Sequence, residues 1–207
     1  MMDKTIFLER IVFDPPYKKI YQRLGFQKKT TEITVKRQKE TDILIEEALS
    51  FISLKGAILE TGIVENDGNT IILSGGLTFA SKKLANFLRG CPEALLMGAT
   101  AGNAIMEAIK DKTVKDNLSA AVVYDAAASE MVDAALDWIM SYFNQQIRRE
   151  GKKLLARRFS AGYADFHLEN QQEIYSRLQM KKIGVTLTST FILLPEKSVT
   201  AISGICG

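Results

Sequence analysis

The segment from Leu118 to Lys153 constrains the fold more than any other stretch of the chain. Its apolar residues recur at helical spacing, with Met131, Ala135, Trp138, Ile139, Tyr142 and Phe143 on one wide face. A helix that long, with a face that wide, belongs in the centre of a core and needs something broad to cover it. The tail offers a cover. Gly184–Thr188, Thr190–Leu194 and Ser198–Ser203 alternate with period two and are rich in Val, Ile and Thr, as strands are. Pro195-Glu196-Lys197 reads as the turn between the last two, and the tail as a closing antiparallel ribbon.

The upstream half fits the same scheme. Gly56–Val64 and Thr70–Leu73 flank the turn Asn66-Asp67-Gly68-Asn69, which predicts a hairpin. Ile11-Val12-Phe13 and Glu93–Met97 read as short strands. Helices are expected over Tyr17–Leu24, after Asp14-Pro15-Pro16, and over Val35–Ser53, Ser81–Arg89 and Gln171–Met180. Gly98–Ala104 is a small-residue turn leading into a helix that runs to about Lys110. Such a turn can offer backbone N–H groups to an anion, or allow helix and sheet to pack closely. Close packing is favoured, because no Lys-Ser/Thr anchor follows the glycines. No linker or repeat interrupts the chain. The reading is one α+β domain spanning residues 1–207, with a helical part over 1–53 and a mostly antiparallel sheet.

Charge and absent motifs remove several function classes. The net charge of +3 is modest for 207 residues. The basic pairs, Lys28-Lys29, Lys82-Lys83, Arg148-Arg149, Lys152-Lys153 and Lys181-Lys182, have acids spread among them and form no stripe, so nucleic acid is not expected as a partner. No run approaches the roughly 20 apolar residues of a membrane helix, and no signal peptide is visible. Cys91 and Cys206 supply neither a disulfide framework nor a metal site, and such sparse cysteine fits a reducing cytoplasm. His167 is the single histidine, which leaves His-based metal sites and hydrolytic triads without support.

The chemistry concentrates in Arg157-Arg158-Phe159-Ser160-Ala161-Gly162-Tyr163-Ala164-Asp165. A guanidinium is a rigid fork for carboxylate or phosphate. Ser-Ala-Gly leaves the backbone open to close approach, and Tyr163 adds a flat face with a polar tip. An Arg pair can equally be a solvated helix end. On the long helix Asp125, Ser129, Asp133 and Asp137 lie four apart, and like charges at that spacing destabilise a helix by about 0.2–0.5 kcal/mol per pair. Arginines, a ligand amine or water could offset them.

Several of these stretches together resemble a known family. Arg158-Phe159-Ser160-Ala161-Gly162-Tyr163, Leu168, Gln171-Gln172, Ile183–Thr188 and Pro195-Glu196-Lys197-Ser198-Val199-Thr200 resemble the reactivation domain of cobalamin-dependent methionine synthase, which binds S-adenosylmethionine. Met97–Asn103 and Tyr124–Glu130 look like free-standing relatives of that domain. The resemblance is strongest from Met131 to Gly204. It implies a curved antiparallel sheet with flanking helices. It also implies an accessory protein that supports reductive remethylation of the cobalamin of a methionine synthase lacking such a domain. In that role Arg158 would hold the ligand carboxylate, Asp133 would be the acidic residue beside the ligand, and Ser160, Ala161, Gly162 and Tyr163 would form its loop. Ser203 and Gly204 stand where the family has Tyr-Phe, so that only backbone contacts could persist there. The implied partners are a cobalamin-binding methionine synthase or related corrinoid protein and a flavodoxin-like reductant, with cobalamin reached only through the partner. The alternatives are a reactivator or S-adenosylmethionine sensor for another corrinoid methyltransferase, a stand-alone enzyme acting on a nucleotide or phosphate ester, and a structural subunit without ligand.

Overall fold

The computed structural model describes residues 4–26 and 34–207; the Lys28-Lys29 pair lies outside them. Its centre is one antiparallel sheet. Strands β1 (Ile6–Leu8), β2 (Lys55–Asn66), β3 (Thr70–Leu73), β4 (Leu77–Ala80), β5 (Glu93–Thr100), β6 (Lys153–Leu154) and β9 (Ser198–Cys206) build it in the order β4-β3-β2-β5-β9-β6, with β1 also on β2. The helices are α1 (Tyr17–Arg23), α2 (Val35–Ser50), α3 (Lys82–Phe87), α4 (Ala104–Val114), α5 (Leu118–Ile147) and α6 (Gln171–Arg177). Two residues each form β7 (Thr186–Leu187) and β8 (Leu193–Leu194), a separate ribbon. The architecture is a single α+β domain, a curled antiparallel sheet flanked by helices. Among the described residues no helix is long and apolar enough to cross a membrane, and no group of acids, His and Cys is placed to hold a metal.

The strands of the centre separate two cores. From β5, Leu95, Met97 and Ala99 face α5, while Ala94 and Leu96 face α3, α6 and the turns beyond them. That alternation is the period-two geometry of a strand, here buried on both faces. The 30-residue α5 presents Met131, Ala135, Ile139 and Phe143 to the first core, as its periodicity predicts. Tyr142 departs from that face. It is 37% exposed and stacks on Trp138 with the rings 5.2 Å apart.

Several boundaries differ from the sequence reading, each for a local reason. The expected strand at Ile11-Val12-Phe13 is absent; the pairing falls on Ile6–Leu8, and Ile11 instead donates its N–H to Leu54 at 3.0 Å. β5 continues through Gly98-Ala99-Thr100, so those residues belong to the sheet and not to a turn. A side chain at Gly98 would sit 2.5 Å from Met180 Sδ, which shows how closely the second core approaches there. α5 ends at Ile147, well before Lys153: a short 3-10 turn and Gly151 at φ 76° reverse the chain into β6. α2 stops at Ser50 and α6 at Arg177. β4 has no counterpart among the expected elements. The tail does not close as one ribbon either, because β9 leaves β8 to lie between β5 and β6.

The two cysteines are joined, contrary to the sequence reading. Cys91 just precedes β5 and Cys206 ends β9. The register that places Glu93 opposite Ile205 brings their Cα atoms to 4.6 Å. Gly204 makes room for the pair: a Cβ there would stand 2.7 Å from Cys91 Sγ and 2.9 Å from Leu155 Cδ1.

Candidate functional site

β6 hands the chain to a segment that runs back along β9. Leu155 N–H donates to Gly204 O at 2.9 Å, and Phe159 and Ile202 exchange backbone hydrogen bonds of 2.8 and 2.7 Å. Ser203 Oγ adds a bond to the Arg157 carbonyl at 2.9 Å. Pinned this way, the segment sends Arg157 into solvent and Arg158 across to α5. Arg158 Nη2 donates to Asp133 Oδ1 at 2.6 Å, and Nη1 makes a short contact with Asp137 Oδ1. Lys19, from α1, lies 3.0 Å from the other oxygen of Asp137.

This pairing accounts for the carboxylates spaced four apart on α5. Asp133 and Asp137 share one guanidinium, and further up the helix Lys197 bridges Asp125 at 2.6 Å and Ser129 at 2.8 Å. Arginine and lysine supply the offsetting charge. Burial alone would draw the Arg158 guanidinium down, but Asp137 and Asp133 outweigh it and hold its pKa above the ordinary value. Burial pushes Asp137 up, and its bonds to Arg158 and Lys19 win and hold it low.

Beyond Arg158 the loop turns tightly. Gly162 has φ 90°, a left-handed conformation that suits glycine. Its N–H donates to Phe166 O at 2.7 Å, and Phe166 N–H returns a bond to Tyr163 O at 3.0 Å. Phe166 is the anchor underneath: fully buried, it packs edge-on against Phe79 with ring centroids 5.1 Å apart. Asp165, beside it, reaches the start of α3, accepting from Ser81 Oγ at 2.7 Å and Lys83 N–H at 3.1 Å. The Ser81 hydroxyl, with the backbone N–H groups, holds the Asp165 carboxyl below its ordinary pKa. A depressed folded-state pKa stabilises the fold above the unfolded value, and that stability is lost as pH falls through the folded value. Asp165→Asn is therefore expected to narrow the stability gap to the parent as pH drops below about 5. Denaturant midpoints measured against pH check this, and parallel acid limbs would contradict it.

The loop forms one wall of a cavity of about 550 Å3, within the usual range of roughly 300–1,000 Å3 for ligand pockets. Asp133 and Arg158 close one side, with Ser160, Ala161 and Tyr163 along the loop. Ser198, Val199 and Thr200 of β9 form the floor, and Gln171, buried at the start of α6, accepts from Thr200 Oγ1 at 3.0 Å. The β7–β8 turn brings Phe191 over the cavity at φ 62°, a conformation rare for a bulky residue and costing about 1–3 kcal/mol. The Thr188 hydroxyl, accepting from Ile192 N–H at 3.0 Å, supports that turn. Glu196 stands at the rim.

Of the residues assigned from the sequence, Asp133, Arg158, Ser160, Ala161 and Tyr163 thus meet at one cavity, and Gly162 shapes its loop. Ser203 and Gly204 do not reach it. Both are buried in β9, the serine hydroxyl engaged by the Arg157 and Leu155 carbonyls and Gly204 packed under the disulfide. Leu168, Gln171 and Ser198–Thr200 were part of the matching motifs but carried no assigned role. Phe191 had no signal at all, since nothing local marks an aromatic residue as left-handed.

Chemically the lining suits the binding of a charged ligand. Its charged groups are one guanidinium and two carboxylates, and no histidine or cysteine lines it. The arrangement can take a ligand that carries a carboxylate and a cation on one end and an extended, partly apolar body on the other.

No family model matches the sequence, and no curated protein does. Among solved structures, the chain is similar to the MetH reactivation domain bound to AdoHcy, with a TM-score of 0.64 over 98% of this chain and 78% of that one, at 12% sequence identity. At that similarity the chain has the fold of the MetH reactivation domain.

Proposed function

We propose that this chain binds S-adenosylmethionine in the cavity beside Arg158 and presents its methyl group to a corrinoid protein. The partner in this reading is a methionine synthase that lacks such a domain of its own. The observation that carries the reading is the Arg158–Asp133 pair at 2.6 Å on the wall of a cavity of about 550 Å3. It lies in a fold shared with a domain whose solved structure holds AdoHcy.

The residues fit the amino-acid end of such a ligand. A guanidinium has five N–H donors; the two Nη groups of Arg158 face Asp137, Met140 and Asp133, and Nε–H has no partner among the described residues, which leaves it for a ligand carboxylate. Asp133 can then turn part of its charge to the ligand ammonium. The Ser160-Ala161-Gly162 backbone admits close approach, and Tyr163, Phe191 and Leu168 supply flat or apolar faces for the nucleoside. The protein's contribution is positioning: a methyl donor held at a fixed place loses little entropy at the moment of transfer. The corrinoid stays with the partner, where it accepts the methyl group, and a flavodoxin-like protein supplies the electron.

Calorimetric titration of the purified chain with S-adenosylmethionine tests the first half. Saturable one-to-one binding is expected. The second half is tested by adding the chain to an oxidised, cobalamin-loaded methionine synthase without a reactivation domain, together with reductant and S-adenosylmethionine. Recovery of turnover only when this chain is present is the expected outcome. A folded sample that binds no S-adenosylmethionine would remove the reading.

A further inference from the structure

The charged side chains around the cavity do not cancel, and the one left over is Glu196. Asp133 and Asp137 are matched by Arg158 and Lys19, two negative charges against two positive. The neighbouring cation, Lys197, is withdrawn from the cavity. Its ammonium is held by Asp125 and Ser129 on α5, and its side chain is only 14% exposed. The same turn is fixed from behind, where Ala101 N–H donates to Lys197 O at 2.8 Å. Glu196 is thus held over the cavity, exposed and without a cationic partner among the described residues. The turn splits its two charges, the lysine to the helix and the glutamate to the site.

We infer that Glu196 is a specificity-determining residue that makes this cavity select a cationic ligand over its uncharged counterpart. The inference rests on the proposed S-adenosylmethionine reading and names what that site distinguishes. S-Adenosylmethionine and AdoHcy share the nucleoside, the carboxylate and the ammonium, and they differ in one methyl group and one positive charge on sulfur. Whatever Arg158 and Asp133 contribute is therefore common to both. An unpaired carboxylate at the rim acts on the difference, because Coulomb attraction needs no direct contact and, at low salt, reaches across several ångströms before it is screened. It also opposes phosphate-bearing ligands, which would bring negative charge to the same place. For a methyl donor the consequence is directional: transfer removes the charge that Glu196 attracts, and the product leaves more readily than the donor.

The test is a set of four titrations, the parent chain and Glu196→Gln each with S-adenosylmethionine and with AdoHcy, in low and in moderate salt. The exposed position lets the variant fold, which thermal melting confirms. The expected result is that Glu196→Gln weakens S-adenosylmethionine binding by about three- to tenfold while AdoHcy changes by less than about twofold, with the difference shrinking as salt is added. A variant that weakens both ligands alike, or neither, overturns charge selection and leaves the binding reading standing. A folded parent that binds neither ligand overturns both.

Discussion

Arg158→Ala is expected to weaken S-adenosylmethionine binding by about 2–5 kcal/mol, the range for truncating one partner of a desolvated charge pair. The size follows from the setting. The side chain is 20% exposed and held by aspartates on both sides, so under the proposed function it would meet a ligand carboxylate in an orientation already fixed. The same change leaves Asp133 and Asp137, one turn apart on α5, with Lys19 on Asp137 as their remaining cation, and a modest loss of thermal stability accompanies the binding defect. Arg158→Lys separates the two effects. It restores a positive charge near the aspartates but not the rigid fork, so stability recovers while affinity recovers only in part. Calorimetry and melting on both variants check this. Wild-type affinity in Arg158→Ala would take the guanidinium out of the site.

The second large effect is structural. Phe166→Ala should cost about 3–5 kcal/mol of folding stability, as for a large aromatic truncated in a core. Phe166 is fully buried between Phe79 and Phe159, and its backbone closes the Gly162 turn in both directions. Removing the ring empties the space directly beneath the loop. The loss shows as a lower denaturant midpoint, and a stable variant should also bind ligand less well because its loop is no longer held. A midpoint within experimental error of the parent would mean that the neighbouring side chains collapse into the space.

Much of this was legible in the chain. The apolar stripe of α5 specified a buried helix because helical periodicity depends only on residues a turn apart. The Arg158–Tyr163 loop stood out through its residue types, but these fit a solvated helix end as well as an anion site, and its place on a cavity wall comes from the fold. Non-local geometry was not legible. Nothing near Cys91 or Cys206 indicates that β5 and β9 align Glu93 with Ile205, and without that register the two thiols look unrelated. Gly98-Ala99-Thr100 resembles a turn in isolation; it is a strand because partners on both sides, β2 and β9, extend it. Ser203 and Gly204 show the limit of carrying roles across from a resemblance. Their positions in the chain suggested ligand contact, but the serine hydroxyl and the space beside the glycine are used by this protein's own loop and disulfide. Glu196 and Lys197 were visible only as a turn; which charge faces the cavity depends on where Asp125 lies on a helix far away in sequence.

The placement of β9 has a consequence for how the protein is made. β5 is buried along nearly its whole length, yet one of its two edges is covered by a strand about a hundred residues further on, pairing Thr100 with Ser198 and Glu93 with Ile205. A chain emerging from the ribosome carries α5, the arginine loop and α6 before the floor of the cavity exists. Until β9 arrives, β5 offers an open edge flanked by apolar faces, the kind of surface on which chains pair with one another. Synthesis through that interval is where a chaperone would be needed, and a slow translation step before Ser198 should raise the fraction lost to aggregation. The cavity appears only when β9 has slotted in. Under the proposed function, ligand binding would thus also report that β9 is in place.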